Sequence, residues 1–254
     1  MRIKAPIPSL LLGTPIPGSE NPYLAAPAWE LEALIDLSSE CLVDGISDTF
    51  LSDAVREFSY RLFRGLELDD ECIRLRLHSM LPPYRLGVYA SLTSVIVYGA
   101  ARLYGEKLST LEVLELARLA EVLEGDSSFH AALEALRYAT LEGSVAVYRN
   151  EEEHSKLPSK AVRVNVLRIK DAQARVSKDS VGSDVYGAII HLMGVTVLEA
   201  AIRLREGMEL KDTILSLKPV HDAVTLAVWG LAPSKENCLW TLDLPGSFAE
   251  ACIE

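Results

Sequence analysis

Positive charge is what this sequence has least of. Lys and Arg number 25 against 36 Asp and Glu, which leaves a net charge of −11 over 254 residues. No stretch forms a basic stripe, so nucleic acid is not expected as a partner. The same acid excess gives a polyphosphate no help unless basic groups converge locally. No apolar run reaches the roughly 18–20 uncharged residues of a membrane span, and no membrane contact is expected. Residues 1–6 lead into one short apolar stretch at Ser9–Leu12 broken up by prolines, unlike a secretory leader. A cytoplasmic protein is predicted. Cysteine is scarce: Cys41, Cys72, Cys238 and Cys252 are scattered, with no C-x-x-C pair. That predicts four reduced, core or half-buried thiols. Glutamine is limited to Gln173 while Arg, Glu and Leu are abundant, a composition that fits a heat-adapted proteome. The five histidines are isolated and none has a second ligand at metal-binding spacing. Ser91 and Ser94 form no nucleophile elbow.

What is present is a soluble globular mix, 49% hydrophobic and 24% charged, long enough for one large domain or two small lobes. An opening strand runs from Met1 to Gly13, with prolines at its edge, and Thr14–Asn21 is turn-like. Leu31–Val43 alternates loosely, as two short strands would. Thr49–Leu62 carries apolar residues at helical spacing (Phe50, Leu51, Ala54, Val55, Phe58, Leu62). Cys72–His78 alternates strictly and predicts a half-buried strand. The loop Pro82–Ser91 follows, and then a buried helix over Leu92–Tyr104. Ser109-Thr-Leu-Glu112 is a capping box that opens a helix to about Glu124, with Leu111, Leu114, Ala117, Leu119 and Val122 as its apolar positions. A further helix spans about Ser128–Leu141, and a strand Gly143–Arg149. Glu151–Ser159 is charged and proline-terminated, the best linker. Beyond it come a strand at Ala161–Leu167 and a polar segment at Asp171–Asp184. Its Lys178, Asp179, Ser180, Ser183 and Asp184 read as a solvent-facing loop or a ligand-contacting lid. A long apolar helix covers Val185–Arg205, and two short ones Leu210–Leu217 and His221–Trp229. Asn237–Asp243 reads as a strand and Ser247–Ile253 as a terminal helical turn or two.

Strand, Pro/Gly-bearing loop and buried helix is the order that phosphate-binding loops use, because free N–H groups at a helix start attract an anion. In this chain the loop resembles the ATP-binding loop of the GHMP kinase superfamily, P-x-x-x-G-L-G-S-S-A-A. Pro83, Gly87 and Ser91 fall on its proline, first glycine and second serine. Val88 replaces the leucine, and Tyr89 and Ala90 replace the second glycine and first serine. The N-terminal motif A-P-G-K-V-x-L-x-G-E-H is matched by Ala5, Pro6, Leu11 and Gly13, but Pro8 stands at the lysine. Ser127-Ser-Phe-His-Ala-Ala132 aligns with S-G-x-D-x-A, which puts His130 at the catalytic aspartate. Of the glycine-rich third motif, Gly230 and Cys238 remain. The resemblance therefore keeps scaffold residues and loses chemical ones in separate segments.

What the resemblance implies is an α+β, two-lobed GHMP kinase-like fold. It would have an S5-domain-2-like lobe over residues 1–154 and a ferredoxin-like α+β lobe over 155–254. For function it implies either a diverged protein with weakened or lost phosphotransfer, binding a nucleotide, small metabolite or partner in the old cleft, or a working small-molecule kinase using ATP and Mg2+. A subunit pairing with an active paralogue, as a homo- or hetero-oligomer, is the third reading. In a working kinase the N–H groups of Gly87, Val88, Tyr89, Ala90 and Ser91, behind Pro83, would hold phosphates. Ser91 with Glu121 or Glu124 would bind magnesium, and His130 or Asp126 would act as base. Asp126 or Ser127 reads equally as a helix N-cap, with His130 merely near the surface. The side chain of Tyr89 would occupy adenine or phosphate space.

Overall fold

Two long antiparallel strands begin the chain and set the rest. The structure, a computed structural model, describes residues 1–68, 70–158 and 161–254. Strand β1 (Arg2–Leu12) pairs along nearly its whole length with β2 (Tyr23–Ser38). The far edge of β2 is shared: its C-terminal half pairs with β4 (Cys72–Leu77), and its first residues pair with β5 (Ala146–Tyr148). Short β3 (Leu42–Asp44) runs parallel to β4, and β6 (His154–Lys156) borders β5. The second sheet is smaller, in the order β7 (Val164–Asp171), β9 (Ser247–Ile253), β8 (Cys238–Leu244). This is a mixed α+β, two-lobed architecture, as expected.

Residues of β1 and β2 alternate between two cores. Leu10, Tyr23 and Ala25 face a core built with helices α1 (Thr49–Gly65), α2 (Arg85–Leu103), α3 (Thr110–Leu119) and α4 (Ser127–Glu142). Leu11, Leu24 and Ala26 face a second core built with α6 (Ser183–Arg205) and α7 (Leu210–Trp229). A strand covered on both sides shows no apolar–polar alternation. For that reason the sequence pattern recovers β2 only from Leu31 onward; the two short strands expected over Leu31–Val43 are the end of β2 and the start of β3.

Other differences have local causes. Helix α2 begins at Arg85, seven residues before the expected start, so Gly87–Ser91 are helix and not loop. Helix α3 ends at Leu119, not near Glu124, and buries Val113, Leu114 and Ala117 while Leu119 is 77% exposed. The expected linker contains β6, and its last residue, Ser159, lies outside the described residues. Helix α7 runs unbroken through Pro219, whose missing N–H costs a bond but not the helix. A four-residue helix, α5 (Lys178–Val181), precedes α6. The C-terminal segment is a strand, not a helical turn. Leu244 pairs with Ser247 across Pro245–Gly246, and Gly246 has φ 73°. Proline followed by a positive-φ glycine is the requirement of a type II turn. All seven residues of β9 are buried, which hides its period.

The cysteine expectation is also corrected. Cys41 bonds to Cys72, and Cys238 to Cys252, the latter two being cross-strand neighbours in β8 and β9.

Candidate functional site

At the head of α2 the chain offers an anion the usual attraction, three helix N–H groups without intrahelical partners. The anion is already supplied. The carboxylate of Asp243, at the end of β8 and 0% exposed, accepts from the Arg85 N–H at 2.7 Å and from Arg85 Nε at 2.8 Å. Burial raises the pKa of Asp243, an effect the Arg85 guanidinium only partly offsets. Beside it the Tyr84 hydroxyl shares a 3.3 Å hydrogen bond with Thr241, and its ring packs against Trp29 at 6.0 Å. Both lobes thus meet at this point, and side chains fill the junction.

Gly87 is needed here for closeness and not for a loop. A Cβ at this position would collide with the Pro8 carbonyl oxygen and the Tyr84 ring. The retained glycine therefore marks a close backbone approach: β1 lies directly on α2 at Pro8. The Val88 N–H bonds to the Tyr84 carbonyl at 3.1 Å. Val88, Tyr89, Ala90 and Ser91 are fully buried. Pro83 lies just ahead of the helix.

The remaining candidates disperse. Ser91 Oγ donates to the Pro6 carbonyl at 2.7 Å and lies 3.2 Å from Thr140 Oγ1. Thr140 sits ten residues beyond His130 on α4, roughly 15 Å along the helix. Ser91 and His130 accordingly do not converge on one reacting centre. Glu121 accepts from the Tyr89 hydroxyl at 2.8 Å, from the Val122 and Leu123 N–H groups at 2.8 and 2.7 Å, and from Arg137 at 2.6 Å. Burial pushes its carboxyl up, but Arg137, the Leu123 N–H and the Tyr89 hydroxyl outweigh burial and hold it below the usual carboxylate range. Arg137 is itself buried, donates to Thr93 Oγ1, and lies over the Phe58 and Tyr89 rings. A carboxylate committed to a buried guanidinium and three further donors is a poor magnesium ligand. Glu124 is solvent-exposed. Among the described residues, no group of three or more His, Cys, Asp and Glu could hold a metal ion. The residues present do not fit ATP with magnesium at the head of α2.

Asp126 caps α4, accepting from the Phe129 N–H at 3.0 Å, and also accepts from the Gly18 N–H at 3.0 Å. It ties the β1–β2 turn to α4. His130 stacks edge-on against Phe129 and lines an open groove of about 380 Å³ with Arg118, Glu134 and Arg149. Next to it is a larger, mainly apolar groove of about 500 Å³, which shares Glu20 and Arg149. Its walls are Pro22, Val147, Ile190, Val195 and Leu198, with His154 and His191 among its polar groups. Sequence reading missed this groove, since its residues come from the β1–β2 turn, β5, β6 and α6 and share no local pattern. Arg149 bonds to the Glu20 carbonyl and pairs with Glu153 at 2.7 Å.

No family model matches the chain and no curated protein matches it in sequence. Solved structures match its fold over the whole length. Mevalonate kinase of L. major in complex with R-mevalonate aligns at a TM-score of 0.64 and 13% identity, over 100% of this chain and 87% of that one. Streptococcus pneumoniae phosphomevalonate kinase in complex with phosphomevalonate and AMPPNP aligns at 0.61 and 12%, over 100% and 92%. Homoserine kinase from Cytophaga hutchinsonii aligns at 0.55 and 17%, over 98% and 84%. All of these are GHMP-superfamily kinases, and their fold is the fold of this chain.

Proposed function

With the GHMP kinase fold as premise, we propose that this chain does not transfer phosphoryl groups and binds a small, partly apolar organic ligand in the groove between the β1–β2 turn and α6. One observation carries the loss of phosphotransfer: the helix head that would receive triphosphate holds the buried Asp243 carboxylate. Phosphoryl transfer relies on positioning and on neutralising charge. A buried carboxylate already occupying the Arg85 N–H and guanidinium, a proline in place of lysine and a dispersed acid–base set oppose each of these. The S. pneumoniae neighbour is described with AMPPNP; in this chain the head of α2 is filled by Tyr84, Arg85 and Asp243.

The test is a thermal melt with ATP and magnesium. A ligand at a hundredfold its dissociation constant stabilises the native state by about 2.7 kcal/mol, several degrees for a chain of this size. No shift at millimolar ATP is expected, whereas a panel of small organic acids and alcohols should contain compounds that raise the melting temperature. A clear rise with ATP, or release of its γ-phosphate, would overturn the reading.

A working kinase is the second reading, favoured by His130, which lines a groove with Arg118 and Arg149. It requires ATP turnover that His130→Ala abolishes.

A further inference from the structure

Helix α6 presents an apolar face on each side. Tyr186, Met193, Val197, Ala200, Ala201 and Leu204 face inward and complete the second core. The outward face of a surface helix is normally polar. Here Val185, Leu192, Val195, Leu198 and Ile202 are all outward and 45–54% exposed. The helix is long and apolar enough to cross a membrane, yet only 33% of its most apolar stretch is buried.

The outward residues are ordered. Val185, Ala188, Leu192, Val195, Glu199 and Ile202 follow a strict three–four spacing, the seam of a two-stranded coiled coil. Such a seam is self-complementary about a twofold axis. The charges choose the direction. Asp184 lies at the N-terminal end of the face and Arg205 at the C-terminal end. In a parallel pair, Asp184 would meet Asp184, Arg205 would meet Arg205, and two Glu199 carboxylates would face each other across the seam. In an antiparallel pair, Val185 packs on Ile202 of the second copy, Leu192 on Val195, and Ala188 leaves room for Glu199. Asp184 then lies opposite Arg205. Glu199 is already held by Arg203 at 2.7 Å within its own helix.

We infer that α6 is the interface of an antiparallel, twofold homodimer of this chain. A second copy is favoured over a lipid surface because the chain is acidic overall, at −11, and anionic headgroups would repel it. The helix is roughly 34 Å long, and a strip ~12 Å wide gives about 400 Å² a side, below the usual size of a permanent interface. The dimer is therefore a dissociating one. Val195 and Leu198 also wall the larger groove, so the second copy roofs it. The dimer nonetheless stands independently of any ligand.

Sedimentation equilibrium over a wide concentration range tests this. The unmodified protein should show a monomer–dimer equilibrium. Leu192→Glu should raise the dissociation constant by about tenfold or more, with a thermal melt unchanged at concentrations low enough that both proteins are monomeric, because the side chain is half exposed. Leu192→Glu combined with Val195→Lys sets opposite charges across the axis and should restore the affinity of the unmodified chain. A monomer at every concentration overturns the inference. So does a Leu192→Glu variant that dimerises normally, or a double variant that stays dissociated. Co-flotation of a monomeric protein with phosphatidylcholine–phosphatidylserine vesicles would assign the face to lipid instead.

Discussion

Arg137 and Glu121 show at the scale of single residues how a side chain that reads as a metal ligand becomes a structural one. Arg137 is buried and the Glu121 side chain is only 9% exposed, and their pairing joins α4, the segment after α3, and, through Tyr89, α2. Removing one partner of a buried pair leaves an uncompensated charge and costs about 3–5 kcal/mol. Arg137→Ala should lower the unfolding free energy in denaturant by that order. A magnesium ligand would predict little change in stability and a change in activity instead. The pH dependence follows from the lowered pKa of Glu121. Its contribution is complete above its unfolded value near 4.5 and is lost as pH falls through the lower folded value. Asp222, also held low by His221 and Lys218 against the effect of burial, acts in the same direction. Asp243 acts oppositely: its pKa is raised, so its contribution is complete below about 3.8 and declines as pH rises through the folded value. Glu121→Gln should be less stable than the unmodified chain at neutral pH and should show a shallower loss below pH ~4.5. Acid titration followed by circular dichroism measures this, and parallel curves would contradict the assignment.

At the scale of elements, α2 is the informative one. Its residues Pro82, Pro83 and Gly87 signal a loop, and the sequence places the helix after them. The actual start at Arg85 depends on Asp243, 158 residues away, and no local pattern carries that. By contrast, the capping box at Ser109 and Glu112 was legible because both partners lie within one helical turn. The same holds for Asp126 as the cap of α4. Strands covered on one face, such as β4, were legible from alternation; β9 and the start of β2, covered on both, were not. The scattered groove around Arg149 was beyond reach for the reason that hid the head of α2: its parts are distant in sequence. The glycine in α2 gives this a direct test. In an open phosphate loop, Gly87→Ala would disturb ligand binding. In the packed helix found here, the methyl group meets the Pro8 carbonyl and the Tyr84 ring, and overpacking of this kind costs about 1–3 kcal/mol. Gly87→Ala should lower the midpoint of denaturant unfolding with its slope unchanged, although alanine is by itself the better helix former. A variant more stable than the original would show that β1 does not lie on α2 as described.

For the molecule as a whole, the two lobes are joined by one continuous packing and each sheet carries its own covalent tie. Trp240, Leu242 and Phe248 of the second sheet contribute to the core of the first lobe. Trp229 Nε1 donates to the Pro15 carbonyl at 2.7 Å, which links α7 to the β1–β2 turn. Cys41–Cys72 secures the connection between β2 and β3 to the start of β4, and Cys238–Cys252 secures β8 to β9. Four thiols scattered without a motif gave no sign of pairing, since Cys41 and Cys72 meet only after β2 and β4 are in register. Disulfides persist in oxidising compartments and, exceptionally, inside hyperthermophiles. The chain-entropy account makes stabilisation depend on the loop closed. With separations of 31 and 14 residues, each bond should contribute about 3–4 kcal/mol. The protein as purified under air should weigh about four hydrogen masses less in mass spectrometry than its reduced form, two for each disulfide. Reduction should lower the melting temperature by many degrees, at about 2–4 °C per kcal/mol for a chain of this length. Cys41→Ser with Cys72→Ser should reproduce roughly half of that loss and Cys238→Ser with Cys252→Ser the rest, because the two sites share no partner and independent sites add. Equal melting temperatures with and without reductant, for a protein shown to be oxidised, would mean that packing between the lobes alone sets stability and that the disulfides close loops already held shut.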